Sequence, residues 1–152
     1  MIKKIVFAIA IVATAASFAN LATAAESTSP VGLWKTIDDK TGKPKSLVRI
    51  ADVGGELRGI VEKLFRDPSE DPNPKCDKCT DEKKDKPVIG MVIITGMKAD
   101  GDHFAGGQIL DPNNGKVYKS KLELEDKGKK LKVRGYIGVP MLGRTQVWVR
   151  EE

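Results

Sequence analysis

The chain has 152 residues, a formal net charge of +5, 5% aromatic residues and two cysteines. One domain with a sizeable core fits that length. Acidic and basic residues are interspersed along the chain and aromatics are few, so neither a basic nucleic-acid footprint nor a base-stacking platform is expected.

Residues 1–24 read as a processing segment. Lys3 and Lys4 precede an apolar run from Ile5 to Ala16, and Ala22-Thr23-Ala24 is a small-x-small cleavage pattern. Thr14 and Ser17 interrupt the run, leaving it shorter than the ~18–20 apolar residues of a membrane span. The expectation is a cleaved secretory signal peptide and a periplasmic or secreted protein. No transmembrane span is expected after cleavage, and no cysteine at the cleavage point could carry a lipid.

From residue 31 onward the chain alternates short apolar/polar ladders with turn chemistry. Strands are predicted over 31–37, 45–53, 56–64, 88–97, 103–110, 116–125, 131–137 and 145–150. In the sixth, Tyr118, Leu122 and Leu124 share a face; in the seventh, Leu131, Val133 and Ile137 do. Gly54-Gly55, the segment 99–102 and Asp111-Pro112-Asn113-Asn114-Gly115 mark tight joins. Gly106-Gly107 and Gly135 inside strands suggest bends. No capped 3.6-residue period appears after residue 24, so the fold class is all-β.

Short connections favour antiparallel neighbours. Eight such strands remove their free edges most economically as an up-and-down barrel spanning 31–150, with a two-sheet sandwich as the competitor. Connections alternate between the ends of a meander. Connections 38–44, 65–87, 111–115 and 138–144, which include every long one, therefore share one end, and the turns 54–55, 98–102 and 126–130 share the other. A loop-bearing mouth is the default place for a ligand.

The same parity puts Trp34 and Arg150 together at the tight end, where a guanidinium stacked on the indole would plug the barrel base. A plain core tryptophan beside a frayed terminal arginine is the alternative. Tyr118, Arg134, Tyr136, Arg144 and Trp148 are candidates for the cavity or its rim, and ordinary packing accounts for them equally well.

Cys76-Asp77-Lys78-Cys79 lies in the Pro-rich, charged loop 65–87. In an exported protein a local disulfide between Cys76 and Cys79 is the leading reading. A metal site would need ligands beyond the two thiolates, and His103, the one histidine, is predicted at the opposite end. A redox motif would want a helix N-terminus, which a Pro-rich loop does not supply. His103 has no nucleophile context for a triad, and no two carboxylates are marked as facing each other. No catalytic set, cofactor or metal is expected.

Gly32-Leu33-Trp34 on a first strand with an arginine on the last resembles the lipocalin and wider calycin pattern. More extensively, 31–150 resembles a family of secreted bacterial proteins grouped as a domain of unknown function. That resemblance rests on Gly32-Leu33-Trp34-Lys35-Thr36, Cys76-Asp77-Lys78-Cys79, Gly107 through Asp111-Pro112-Asn113-Asn114-Gly115-Lys116-Val117-Tyr118, Leu131-Lys132-Val133-Arg134-Gly135-Tyr136 and Leu142-Gly143-Arg144-Thr145-Gln146-Val147-Trp148. It implies a lipocalin-like barrel without an assigned activity. The expectation is a non-enzymatic barrel binding a small amphipathic or apolar molecule, with 65–87 as a disulfide-pinned lid. A solid barrel docking an envelope protein is the alternative, and a Cys-based redox or metal protein is third.

Overall fold

The computed structural model describes residues 27–152; the expected signal peptide lies outside them. Eight antiparallel strands form a closed barrel in sequence order: β1 (Gly32–Ile37), β2 (Pro44–Val53), β3 (Glu56–Leu64), β4 (Val92–Asp100), β5 (His103–Asp111), β6 (Lys116–Glu125), β7 (Lys130–Tyr136) and β8 (Arg144–Arg150). Short 3-10 turns at Asp81–Lys83, Asp126–Gly128 and Pro140–Leu142 are the helical elements among the described residues.

Closure is brief. Only Trp34 with Arg150 and Lys35 with Val149 pair between β1 and β8. Toward the mouth no further ladder pairs join those strands, and side-chain hydrogen bonds from Arg144 and Gln146 to Asp39 connect the two edges.

Outside β4 the strand ends differ from the sequence reading by at most one residue; three differences matter. β4 begins at Val92 rather than Val88. Gly90 adopts φ +88° and donates to the Val61 carbonyl at 2.7 Å, making 88–91 a turn. Val88 and Met91 are nevertheless buried against the core. The β4–β5 turn is tighter than expected, because Asp100 still pairs with His103. β7 stops at Tyr136, so Ile137, expected on the inner face, is 63% exposed.

The tight end is filled. Trp34, Ile50, Leu57, Met97, Leu122 and Leu131 are each at most 3% exposed and interlock across it. Burying such side chains supplies the main stabilisation, roughly 1.5–3 kcal/mol each. The Arg150 guanidinium carbon lies 4.2 Å from the Trp34 ring centroid. Trp34 Nε1 donates to Pro30 O at 2.7 Å. Arg150 donates to the carbonyls of Gly128 at 2.6 Å, Ser29 at 2.7 Å and Val31 at 2.9 Å. Burial pushes the Arg150 pKa below its ordinary value, and these carbonyls and the indole face are what the partly desolvated cation finds instead of water.

Gly32 is required by this arrangement. Its φ is +142°, and a Cβ there would fall 2.6 Å from Arg150 Nη1 and 2.7 Å from the Glu152 carbonyl oxygen.

Candidate functional site: a cavity at the loop-bearing end

The other end of the barrel opens into a cavity. A cavity of about 900 Å³ runs from the lumen into the mouth. Its inner walls include Val61, Ile93, Leu110, Val133 and Trp148, all buried. None of the six base residues named above lines it, so the plugged base ends where the cavity begins.

Polar groups interrupt the apolar wall along the β1–β8 side. Thr36 and Ser46 face each other across the β1–β2 ladder, and their hydroxyls hydrogen-bond at 2.7 Å. Trp148 Nε1 donates to Gln146 Oε1 at 3.3 Å. Gln146 Nε2 donates to Asp39 Oδ2 at 3.4 Å, and Arg144 pairs with the same oxygen. The two bonds to Asp39 reach from β8 to the β1–β2 loop, where β1 and β8 no longer share a ladder. On the opposite wall, Tyr118 accepts from Asn114 Nδ2 at 3.0 Å.

The rim is charged and of mixed sign, including Asp38, Lys43, Arg66, Glu70 and Asp111. Hydrogen bonds from Thr41 hold the Asp38 carboxyl below its usual pKa, its oxygen accepting from the Thr41 backbone at 2.8 Å and hydroxyl at 3.0 Å.

Residues 65–87 fold over this mouth. Val88 N donates to Pro74 O at 2.9 Å, Ile89 N to Asn73 Oδ1 at 3.1 Å and Cys76 N to Lys86 O at 2.9 Å, tying the loop across its neck. Cys76 and Cys79 form a disulfide with Cα atoms 5.3 Å apart. At 0% and 3% exposure it is a packed part of the fold. Cys76 Sγ contacts the Pro112 carbonyl at 3.4 Å; the oxidised sulfur carries no proton, so this is packing. A Cβ at Gly115, whose φ is +71°, would overlap the Lys78 carbonyl. Only glycine lets the β5–β6 loop nest beneath the cysteine loop.

Trp148, Tyr118 and Arg144 line the cavity. Arg134 and Tyr136 do not: β7 turns Leu131, Val133 and Gly135 inward, so these two face outside. Arg134 Nε donates to Pro140 O and Nη1 to Thr145 Oγ1, both at 2.6 Å. It fixes the β7–β8 loop.

Thr36, Ser46, Gln146 and Asp39 were missed by the sequence reading. A signal was available: Thr36 is in phase with Trp34, and Ser46 with Val48, so polar side chains occupy inward positions. His103 sits at the tight end, its ring nitrogens 2.9 Å from Asp102 and 3.2 Å from Asp100. The interaction with His103 lowers the Asp102 pKa. Among the described residues, no group of three or more His, Cys, Asp or Glu side chains is placed to hold a metal, and no helix is long and apolar enough to cross a membrane.

A closed eight-stranded meander with a plugged base and an open cavity is a lipocalin-like barrel. It is similar to protein HP1028 from the human pathogen Helicobacter pylori, described as belonging to the lipocalin family. The TM-score is 0.69 at 18% identity, over 82% of this chain and 84% of that one. That likeness concerns the fold. No curated protein matches the chain. Residues 32–150 match the family described as "Uncharacterized protein conserved in bacteria (DUF2147)", and the chain belongs to that family.

Proposed function

We propose that this protein is an exported, non-enzymatic carrier that holds one small amphipathic molecule in the mouth-end cavity. The observation that carries the reading is the cavity of about 900 Å³, within the range of small-molecule sites. Its apolar inner wall suits a hydrocarbon body, and its charged rim suits a polar head. The charged leader of 1–24 supports export, and the buried disulfide suits an oxidising compartment.

A cavity at the mouth counts against the solid-barrel alternative. Consumption of both thiols in a buried disulfide counts against thiolate metal binding or exposed redox chemistry.

The test is native and denaturing intact mass of protein recovered from the bacterial periplasm, paired with titration by an anilinonaphthalene dye. Mass lost on denaturation, or saturable dye binding near one per chain, is the expected result. Val61→Phe should reduce dye affinity roughly tenfold by filling the wall. A native mass without cargo, together with dye binding indifferent to Val61→Phe, would sink the carrier reading.

A further inference from the structure

Between Tyr136 and Arg144 the chain runs Ile-Gly-Val-Pro-Met-Leu-Gly, without one polar side chain. This β7–β8 loop stands at the mouth, yet its apolar side chains are turned away from the cavity. Ile137 is 63% exposed, Val139 53%, Met141 88% and Leu142 79%. Four large apolar groups within six residues form an exposed apolar projection, which soluble proteins seldom leave without a partner. The Arg134 bond to Pro140 O helps hold the loop against the outer wall.

The surroundings say what the partner is. From Lys127 to Arg150 the chain holds seven lysines and arginines and no aspartate or glutamate. Charges that look interspersed over the whole chain are therefore segregated in the final hairpin. At its base, Lys130 and Lys132 are paired with Asp126 and Glu125. Nearer the mouth, Arg134 and Lys119 have no carboxylate partner among the described residues. Lys119 pairs in the ladder with Tyr136. Apolar side chains projecting beyond an aromatic residue and unpaired cations match the headgroup–acyl boundary of an anionic bilayer. An acidic protein partner would satisfy the cations but leave Met141 and Leu142 unexplained.

We propose that the β7–β8 loop is an interfacial wedge that seats the mouth of the barrel on an anionic lipid bilayer. The β1–β8 edge adjoins this wedge: β8 starts at Arg144, two residues after Leu142, no β1–β8 ladder pair is made there, and among the described residues the contacts of Arg144 and Gln146 with Asp39 are the side-chain hydrogen bonds that join the two edges. Resting on the carrier reading, this arrangement gives an acyl-bearing ligand a lateral route between membrane and cavity.

The test places a fluorescent reporter at two exposed apolar sites of the full chain. Met141→Trp is in the loop; Val53→Trp, at a site 49% exposed at the tight end, is the control. Vesicles of phosphatidylglycerol and brominated phosphatidylcholine should blue-shift and quench the Met141→Trp signal over the parent's, and leave Val53→Trp unchanged. Adding Leu142→Ser to Met141→Trp should lower vesicle affinity roughly tenfold. Lys119→Gln or raised salt should weaken it further.

Equal quenching at both sites, or none at Met141→Trp, would overturn the wedge. So would a dimer seen by native mass that Leu142→Ser abolishes, since the loop would then be a self-association surface. Val61→Phe should block the cavity and leave quenching at Met141→Trp intact, so failure of the carrier and failure of the docking are distinguishable.

Discussion

The two ends of this barrel are made from the same eight strands and do opposite things. At the tight end, turns are short, Trp34 is fully buried, and Arg150 trades water for carbonyls and an indole face. At the mouth, long connections carry mixed charge, and inward positions are taken by Thr36, Ser46 and Gln146. A sealed base lets the fold hold together without the mouth being filled. Stability is concentrated at one end, and the other is free to vary its loops.

The sharpest way to break that division is Trp34→Ala. It removes the largest side chain of the plug and orphans both the Pro30 carbonyl and one face of Arg150. Chemical denaturation should show a loss of about 3–5 kcal/mol. A loss no larger than that of a typical surface change would mean the base is not where stability resides.

Replacing both Cys76 and Cys79 by Ser should cost less, about 2 kcal/mol, because so short a ring restrains little unfolded-chain entropy. Its effect should be confined to the mouth. Amide exchange in 65–87 and in the nested loop 111–115 should accelerate, with protection of Leu122 and Leu131 unchanged. Faster exchange at the base would show that the ends are not independent.

The smallest effect concerns Asp38, which is half-buried at the rim. Its carboxyl pKa is depressed by bonds from Thr41, so its contribution to loop order is present above the unfolded value of roughly 3.9. It is lost as pH falls through the lower folded value. Carboxyl NMR titration should place Asp38 below an ordinary aspartate, and amides of 40–43 should become mobile in that acidic window. An ordinary midpoint would remove this link between charge and rim order.

Strand order and the sorting of loops between the ends were legible because they depend on alternation, turn residues and parity, all local in the chain. The pairing of Trp34 with Arg150 followed from the same parity. Arg134 and Tyr136 alternate with Leu131 and Val133, so the period-2 phase of β7 already pointed them outward; grouping them with Tyr118 and Trp148 set that phase aside, and the structure corrects it. Ile137 was misplaced because Gly138, at φ +80°, lies just beyond the end of the ladder. The acid-free stretch from Lys127 to Arg150 was open to reading, but whole-chain composition averages it away.

By itself, then, the amino-acid sequence determined an all-β meander, its two unlike ends and the placement of Trp34 and Arg150 at the tight one. Turn chemistry and period-2 alternation act over a few residues and need no knowledge of the rest. Only the tertiary structure decided that the mouth end opens into a cavity, that the cysteine loop nests on Gly115, and that the β7–β8 loop faces outward. Those outcomes depend on how side-chain volumes from all eight strands add up inside a closed cylinder, and on contacts between segments far apart in the chain.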